Sequence, residues 1–265
     1  MLKLLCLLIF GSIPAFGERP IIGYVGGVVG IKVPKDTLSV SFNQTNQLLF
    51  NHTAIVALPL DLEDQSYLLS VEAKSGSQQI PFLVKAKNYP EQRLTIKNQK
   101  YVEPSTNDLE RIRKEQQAMK NAYRHVSAIP TDLRPFLQPI DGTITSLFGF
   151  RRILNGLPRN PHSGLDIAAP LGTKIKTPAP GKVILTGDFF FNGNTILIDH
   201  GGGLITMVCH LDEIYVESNE ELSRSSVIGT VGSTGRATGP HLHWSVSLQG
   251  HRIDPQSFMN TINSL

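Results

Sequence analysis

Thr238-Gly239-Pro240-His241-Leu242-His243 opens an extended run that continues to Leu248, and its reading decides the fold of the second half of the chain. Alternate residues of a strand share a face, so His241 and His243 project together while Leu242 turns into a core. Two imidazoles on one face are costly unless they bind or catalyse something, and neutral imidazole is the commonest metal ligand. The surrounding sequence repeats the strand-and-turn pattern. Residues 175–177, 182–186, 195–199, 204–208 and 227–231 read as strands, with Gly/Pro/Asn punctuation at 178–181, 192–194, 201–203 and 232–240. From about Phe136 onward no helix-length periodic segment is expected, which predicts a compact, mostly antiparallel β barrel or sandwich.

Some eighty residues earlier stands His162-Ser163-Gly164-Leu165-Asp166. A four-residue spacing on a helix would bring His162 and Asp166 to one face. Pro161, Gly164 and Pro170 argue against a helix, so the pair is expected to leave a loop and enter a short strand. Taken with His241 and His243, the segment looks like part of a zinc site: zinc takes imidazole nitrogen and carboxylate oxygen, and three protein ligands leave one position open. His210 closes the apolar run that ends at Cys209; His200 competes with it for a place in the set, and spacing alone does not separate them. Strand alternation points Cys209 away from His210, which gives the thiol a core role. Arg152 and Asn155 precede the first motif and are candidates for lining a groove. Asp212 and Glu213 follow His210 and read as a solvated turn, and His52, His125 and His251 lie outside any cluster.

Residues 18–103 carry short β-like runs, among them Ile21–Val33, Leu38–Phe42, Leu48–Leu60 and Tyr67–Ala73, separated by turn residues; they predict a small antiparallel sandwich. Only His52 among them is a histidine, so chemistry is not expected there. A helix is expected from about Thr106 to His125, preceded by Pro104-Ser105 and with Asp108 and Glu110 in its first turn. Leu109, Ile112, Met119, Tyr123 and Val126 fall roughly on one face. Residues 104–135 thus read as a linker helix, and Pro130, Pro135 and Pro139 mark the entry to a domain over 136–265.

The 265 residues suit one large domain or two ordinary ones, and a net charge of +3 without a Lys/Arg run gives no support to nucleic-acid binding. Residues 1–17 read as a signal peptide: Lys3, the apolar run Leu4 to Phe10, then the small-x-small site Ala15-Phe16-Gly17. The alternative is an uncleaved N-terminal anchor. Cleavage would remove Cys6 and leave Cys209 alone, so no internal disulfide is expected. Export to the periplasm or cell envelope follows as an expectation.

The segment from about Leu137 to Pro255 resembles the lysostaphin/LytM-type zinc endopeptidases, which cleave peptide bonds in bacterial peptidoglycan. The resemblance is carried by Ser146-Leu147-Phe148-Gly149-Phe150-Arg151, by His162 through Thr173, by Asn192-Gly193-Asn194-Thr195, Asp199-His200-Gly201 and His210-Leu211. It continues through Gly229-Thr230-Val231-Gly232-Ser233-Thr234-Gly235 and Thr238 through His243. It implies one zinc ion (Zn2+) per chain held by His162, Asp166 and His243, with His210 and His241 as non-ligand catalytic histidines and no catalytic part for His200. Val208 stands where the family often has Tyr, a departure that touches substrate positioning rather than metal binding. The implied fold is mainly β: an N-terminal β-sandwich-like domain, a linker helix and a C-terminal antiparallel catalytic domain with a groove over one sheet. The implied function is zinc-dependent hydrolysis of peptidoglycan cross-links, a zinc-bound water attacking the scissile carbonyl. Its partners would be peptidoglycan peptides, with intramolecular occlusion of the groove by the N-terminal domain as a further expectation. The alternatives are a non-catalytic or latent member that binds wall or a partner, and an exported zinc peptidase acting on protein.

Overall fold

Antiparallel strands carry the second half of the chain. The computed structural model describes residues 19–128 and 132–265, so the signal-peptide reading of residues 1–17 and the Pro130 boundary lie outside the described residues. The main sheet has ten strands. Its path runs Thr143–Ser146, Leu165–Ala168, His241–Leu248, Leu204–Ile214, Gly193–Asp199, Gly181–Phe189 and Glu221–Leu222. Lys174–Lys176 and Val227–Val231 pair with each other, and the latter also pairs with the end of Leu204–Ile214. Leu242, Trp244, Val246 and Leu248, at every second position of one strand, are wholly buried, as alternation requires.

The first half forms two smaller sheets. Ile22–Tyr24, Gly76–Lys85, Gln65–Ala73, Thr37–Phe42 and Thr45–Asn46 make one; Val28–Lys32, Thr53–Ala57 and Leu48–Phe50 make the other. Val29, Ile31, Val40, Phe42, Leu69 and Phe82 fill one core there. Within these two sheets every pairing is antiparallel except that of Ile22–Tyr24, which runs parallel to Gly76–Lys85. A separate core joins Leu48, Phe50 and Ile55 to Phe136, Trp244 and Phe258, so strands from the first half and the main sheet bury a common interior. A further strand, Glu91–Leu94, adds in parallel to Arg151–Leu154 just upstream of His162.

Two helices complete the described residues. Helix α1, Thr106–Tyr123, starts on a capping box between Ser105 and Asp108. It buries Ile112 and Tyr123, and Met119, Ala122 and Tyr123 pack on Leu197, Ile205, Met207 and Cys209 of the main sheet. Leu109 and Val126, expected on the same face, are 40% and 60% exposed. The helix ends at Tyr123, which leaves Val126 beyond it. Arg111 donates to Asp188, and Glu115 accepts from the Phe190 backbone N–H, pinning α1 across the hairpin end of two strands. Helix α2, Pro255–Asn263, corrects the strand-and-turn reading of the C-terminal stretch: Asp254 caps it, Pro255 occupies its first turn, and Phe258 and Ile262 anchor it in the core.

Candidate metal centre

Strand register places the first two side chains. Asp166 on Leu165–Ala168 lies directly opposite His243 on the neighbouring strand, and Ala168 lies opposite His241. His241 and His243 therefore share a face with Asp166, as the alternation predicts. His162 lies just ahead of the strand, where its backbone N–H donates to Phe150 O and its carbonyl accepts from Gly149 N. Gly164 is required by close approach: a Cβ there would stand 2.5 Å from the Trp244 carbonyl oxygen and 2.8 Å from His243 Cε1.

The three groups converge at one point. His162 Nε2 is 3.0 Å from Asp166 Oδ1 and 3.0 Å from His243 Nδ1, and His243 Nδ1 is 2.6 Å from Asp166 Oδ1. All three residues are buried. The hydrogen bonds behind them settle which nitrogens carry protons. His162 Nδ1 lies 2.8 Å from Leu147 O, a carbonyl that can only accept, so Nδ1–H donates and Nε2 is the nitrogen left to carry a lone pair. The Ser245 hydroxyl donates to Ser163 O, so it must accept from His243 Nε2–H at 3.0 Å, which leaves the lone pair of the neutral ring on Nδ1. Burial, opposed by the bonds to Asp166, pushes the His243 pKa down to about 4, which keeps the ring neutral.

Two imidazole lone pairs and a carboxylate oxygen thus face one another, an arrangement that repels unless a cation lies among them. Donors about 2.1 Å from a tetrahedral zinc stand roughly 3.4 Å apart, and the observed triangle is of that order and slightly tighter. The residues present therefore fit a divalent cation that takes nitrogen and oxygen. Burial alone would raise the Asp166 pKa, yet the polar groups around it, His162 and His243 first, hold it well below the usual carboxylate range. Its second oxygen, Oδ2, accepts from Arg152 Nη2 at 2.8 Å, which turns Oδ1 toward the histidines.

His210 and His241 stand beside this triangle with ring centroids 4.9 Å apart, and His210 is 6.2 Å from His243. His210 Nδ1–H donates to Thr234 O and His241 Nδ1–H to Gly239 O, each at 2.8 Å, so Nε2 is the nitrogen of each ring left to carry a lone pair. Burial, reinforced by His241 and His243, pulls the His210 pKa down to about 3. His210 has φ +65° at a register shift where its strand takes one residue more than its neighbour between Val208 and Leu211. The buried role expected of Cys209 holds, but the bulge breaks the alternation argued for it: adjacent residues no longer alternate cleanly, and Cys209 and His210 line the same cavity. Burial pushes the Cys209 thiol up to about 12, so it stays protonated and is a poor metal donor.

His200 is placed elsewhere: it donates from Nδ1 to Pro180 O and bonds the Thr206 hydroxyl through Nε2, a buried structural role. Asn155 bonds both backbone groups of Ile96 rather than lining the groove. Thr234, not Asp212 or Glu213, orients His210. Sequence reasoning passes over Ser245, although its i+2 spacing from His243 signals a shared face. It also passes over Gln92, whose side chain accepts from the Ser146 hydroxyl, itself 3.0 Å from His162 Nδ1. Only the fold brings Gln92 there. A cavity of about 520 Å³ opens over the histidines, with Tyr101, Val102, Gln116 and Met119 contributing its wall from the linker region.

A sequence model of Peptidase family M23 matches residues 160–255. A crystal structure of a Pseudomonas aeruginosa protein assigned to peptidase M23 is 36% identical, superposes with a TM-score of 0.73, and covers 92% of this chain and 96% of its own. The peptidoglycan DD-endopeptidase ShyA of Vibrio cholerae is 38% identical over 119 residues, 44% of this chain and 28% of its own. The DD-carboxypeptidase/endopeptidase Mpg of Neisseria meningitidis is 37% identical over 114 residues, 43% of this chain and 26% of its own. The chain thus spans about a quarter of the length of these two curated relatives.

Proposed function

The chain belongs to peptidase family M23, and on that premise we propose that it is a zinc-dependent endopeptidase that hydrolyses peptide cross-links of bacterial peptidoglycan. The observation that carries the proposal is the convergence of His162 Nε2, His243 Nδ1 and Asp166 Oδ1 with their lone pairs fixed by hydrogen bonds behind them. The relatives from Vibrio and Neisseria, named for cleaving peptidoglycan or D,D-peptide bonds, support the substrate class.

In this reading His162, Asp166 and His243 hold the metal, and Arg152 keeps Asp166 Oδ1 aimed at it. Zinc bound there supplies Lewis-acid polarisation of the scissile carbonyl and acidifies water toward neutral pH. His210 and His241 offer Nε2 lone pairs, so either can accept the one proton lost by the attacking water and, once protonated, donate to the developing oxyanion or the leaving amine. Their Nδ1 bonds to Thr234 O and Gly239 O hold both rings in the tautomer this requires. A strand edge beside the cavity suits an extended peptide.

Residues 136–265 form the catalytic part in this reading, residues 18–103 an accessory part and 104–135 the linker. Export to the periplasm or cell envelope goes with the wall substrate. The wall formed by Tyr101, Val102, Gln116 and Met119 supports a latent state in which α1 narrows access to the cavity. Replacing Glu115 with Ala, which frees the Phe190 contact, is expected to raise activity; unchanged activity counts against latency. The function itself is tested by digesting purified cross-linked peptidoglycan with and without chelator and reading the fragments by mass spectrometry. Chelator-sensitive loss of cross-linked dimers is the expected result. Intact dimers with zinc present, for the Glu115→Ala variant as for the parent, would favour a binding-only protein.

A further inference from the structure

Among the described residues the cavity over the histidines is lined by four arginines, Arg152, Arg159, Arg236 and Arg252, and by no aspartate or glutamate. The charge of Asp166 is already met by Arg152. Arg252 lies against the Tyr123 ring, 3.2 Å from its centroid, and belongs to the α1 side of the cavity. The Arg159 side chain makes one long contact, to the Pro158 carbonyl, and is exposed. Among the described residues neither Arg159 nor Arg236 has a carboxylate partner.

Arg236 is the more constrained of the two. Its guanidinium lies 4.6 Å from the Phe191 ring centroid, and its backbone N–H donates to Phe191 O at 2.9 Å. It follows by two residues Thr234, whose carbonyl fixes His210. Burial, then the like charges of Arg152 and Arg159, draws its pKa down to about 10, so positive charge here is crowded and uncompensated. A half-buried guanidinium stacked on an aromatic ring, with its fork free and other guanidinium groups beside it, is built to receive a planar anion.

Resting on the peptidase reading, we infer that Arg159 and Arg236 form a carboxylate subsite that selects cross-links bearing a free carboxylate next to the scissile bond. Bond chemistry says which residue carries it. The acyl-side residue has its own carboxyl tied up in the scissile amide, so the free group belongs to the amine side. A diaminopimelate cross-link meets this condition, because the carbon that bears the amide nitrogen also bears a carboxylate. A glycine bridge does not, since each internal carboxyl is consumed in the next amide.

The test uses the zinc-loaded protein and a pair of cross-linked peptides that differ only in whether this carboxylate is free or amidated, with a glycine-bridged peptide as a third substrate. kcat and KM are measured for the parent, Arg159→Gln, Arg236→Gln and Arg236→Lys. The parent is expected to favour the free carboxylate by roughly 10- to 100-fold, the range of one charge-assisted bond, mostly through KM. Arg236→Gln and Arg159→Gln should each shrink that preference, and Arg236→Lys should keep part of it, because lysine keeps the charge but lacks the planar fork. Arg159 is exposed, so its variant separates lost recognition from lost folding. Equal cleavage of the free and amidated peptides, or a preference that survives both Gln variants, overturns the subsite while leaving the peptidase reading in place. So does cleavage of the glycine-bridged peptide alone. Cleavage of none of the three, by the parent and by Glu115→Ala alike, overturns both.

Discussion

His162, Asp166 and His243 share one cluster of rings with His210 and His241, yet the two groups are held by different means. Two of the first three are set by strand register, Asp166 directly opposite His243, and all three are braced by side chains: Arg152 behind Asp166, Ser245 behind His243, Ser146 and Leu147 O behind His162. Of the other two, His210 sits on a bulge and His241 at the first position of its strand, and each ring is anchored by a single backbone carbonyl from a loop. A metal ligand must hold its lone pair still, which a rigid sheet provides. A proton carrier must instead keep one nitrogen free, which a single Nδ1 anchor provides.

The largest effect that breaks this contrast is loss of a ligand. Asp166→Ala or His243→Ala is expected to abolish zinc binding, checked by metal analysis, and to drop peptidoglycan cleavage to background. His210→Ala and His241→Ala should keep zinc but lower kcat by about 10²–10³-fold, the usual worth of a group acting on the developing charge. Normal turnover in either variant would remove that histidine from the chemistry. Weaker effects sharpen the bracing half of the comparison. Ser245→Ala frees the His243 tautomer, and Gly164→Ala drives a Cβ against the Trp244 carbonyl; each should weaken zinc affinity by roughly 10- to 100-fold in a chelator competition.

The smallest effect concerns pH. Burial holds His200 and His243 at about 4 and His210 at about 3, below the value of about 6.5 expected in an unfolded chain. For the metal-free protein these depressed values mean that the unfolded chain binds protons first. Stability is therefore full above about pH 6.5 and falls as pH drops toward 4, by about 1 kcal/mol per pH unit for each such histidine. Urea denaturation between pH 7 and 4 should show this, and His200→Gln, far from the proposed metal, should flatten the slope. An unchanged slope would mean that His200 does not stay neutral in the folded state.

How much of this the sequence discloses follows the same division. Alternation at His241-Leu242-His243 and the loop-to-strand reading of His162 to Asp166 need only local geometry, and both match the structure. Helix α1 is legible because Ser105 and Asp108 form its cap. Helix α2 has a start signal in Asp254-Pro255, but its nine residues are too few to establish a period against the turn formers before them. The bulge at His210 leaves no local mark, so alternation sends Cys209 the wrong way. Gln92 behind Ser146, and the guanidinium of Arg152 on Asp166, are products of tertiary contact that no spacing encodes.

The account stands or falls on what surrounds the metal, and X-ray absorption spectroscopy of the zinc-loaded protein reads that directly. It predicts nitrogen and oxygen neighbours at about 2.0–2.2 Å with two imidazoles and no sulfur, unchanged in His210→Ala. A thiolate sulfur at about 2.3 Å, which among the described residues Cys209 alone could supply, or a third imidazole that vanishes in His210→Ala, would contradict it.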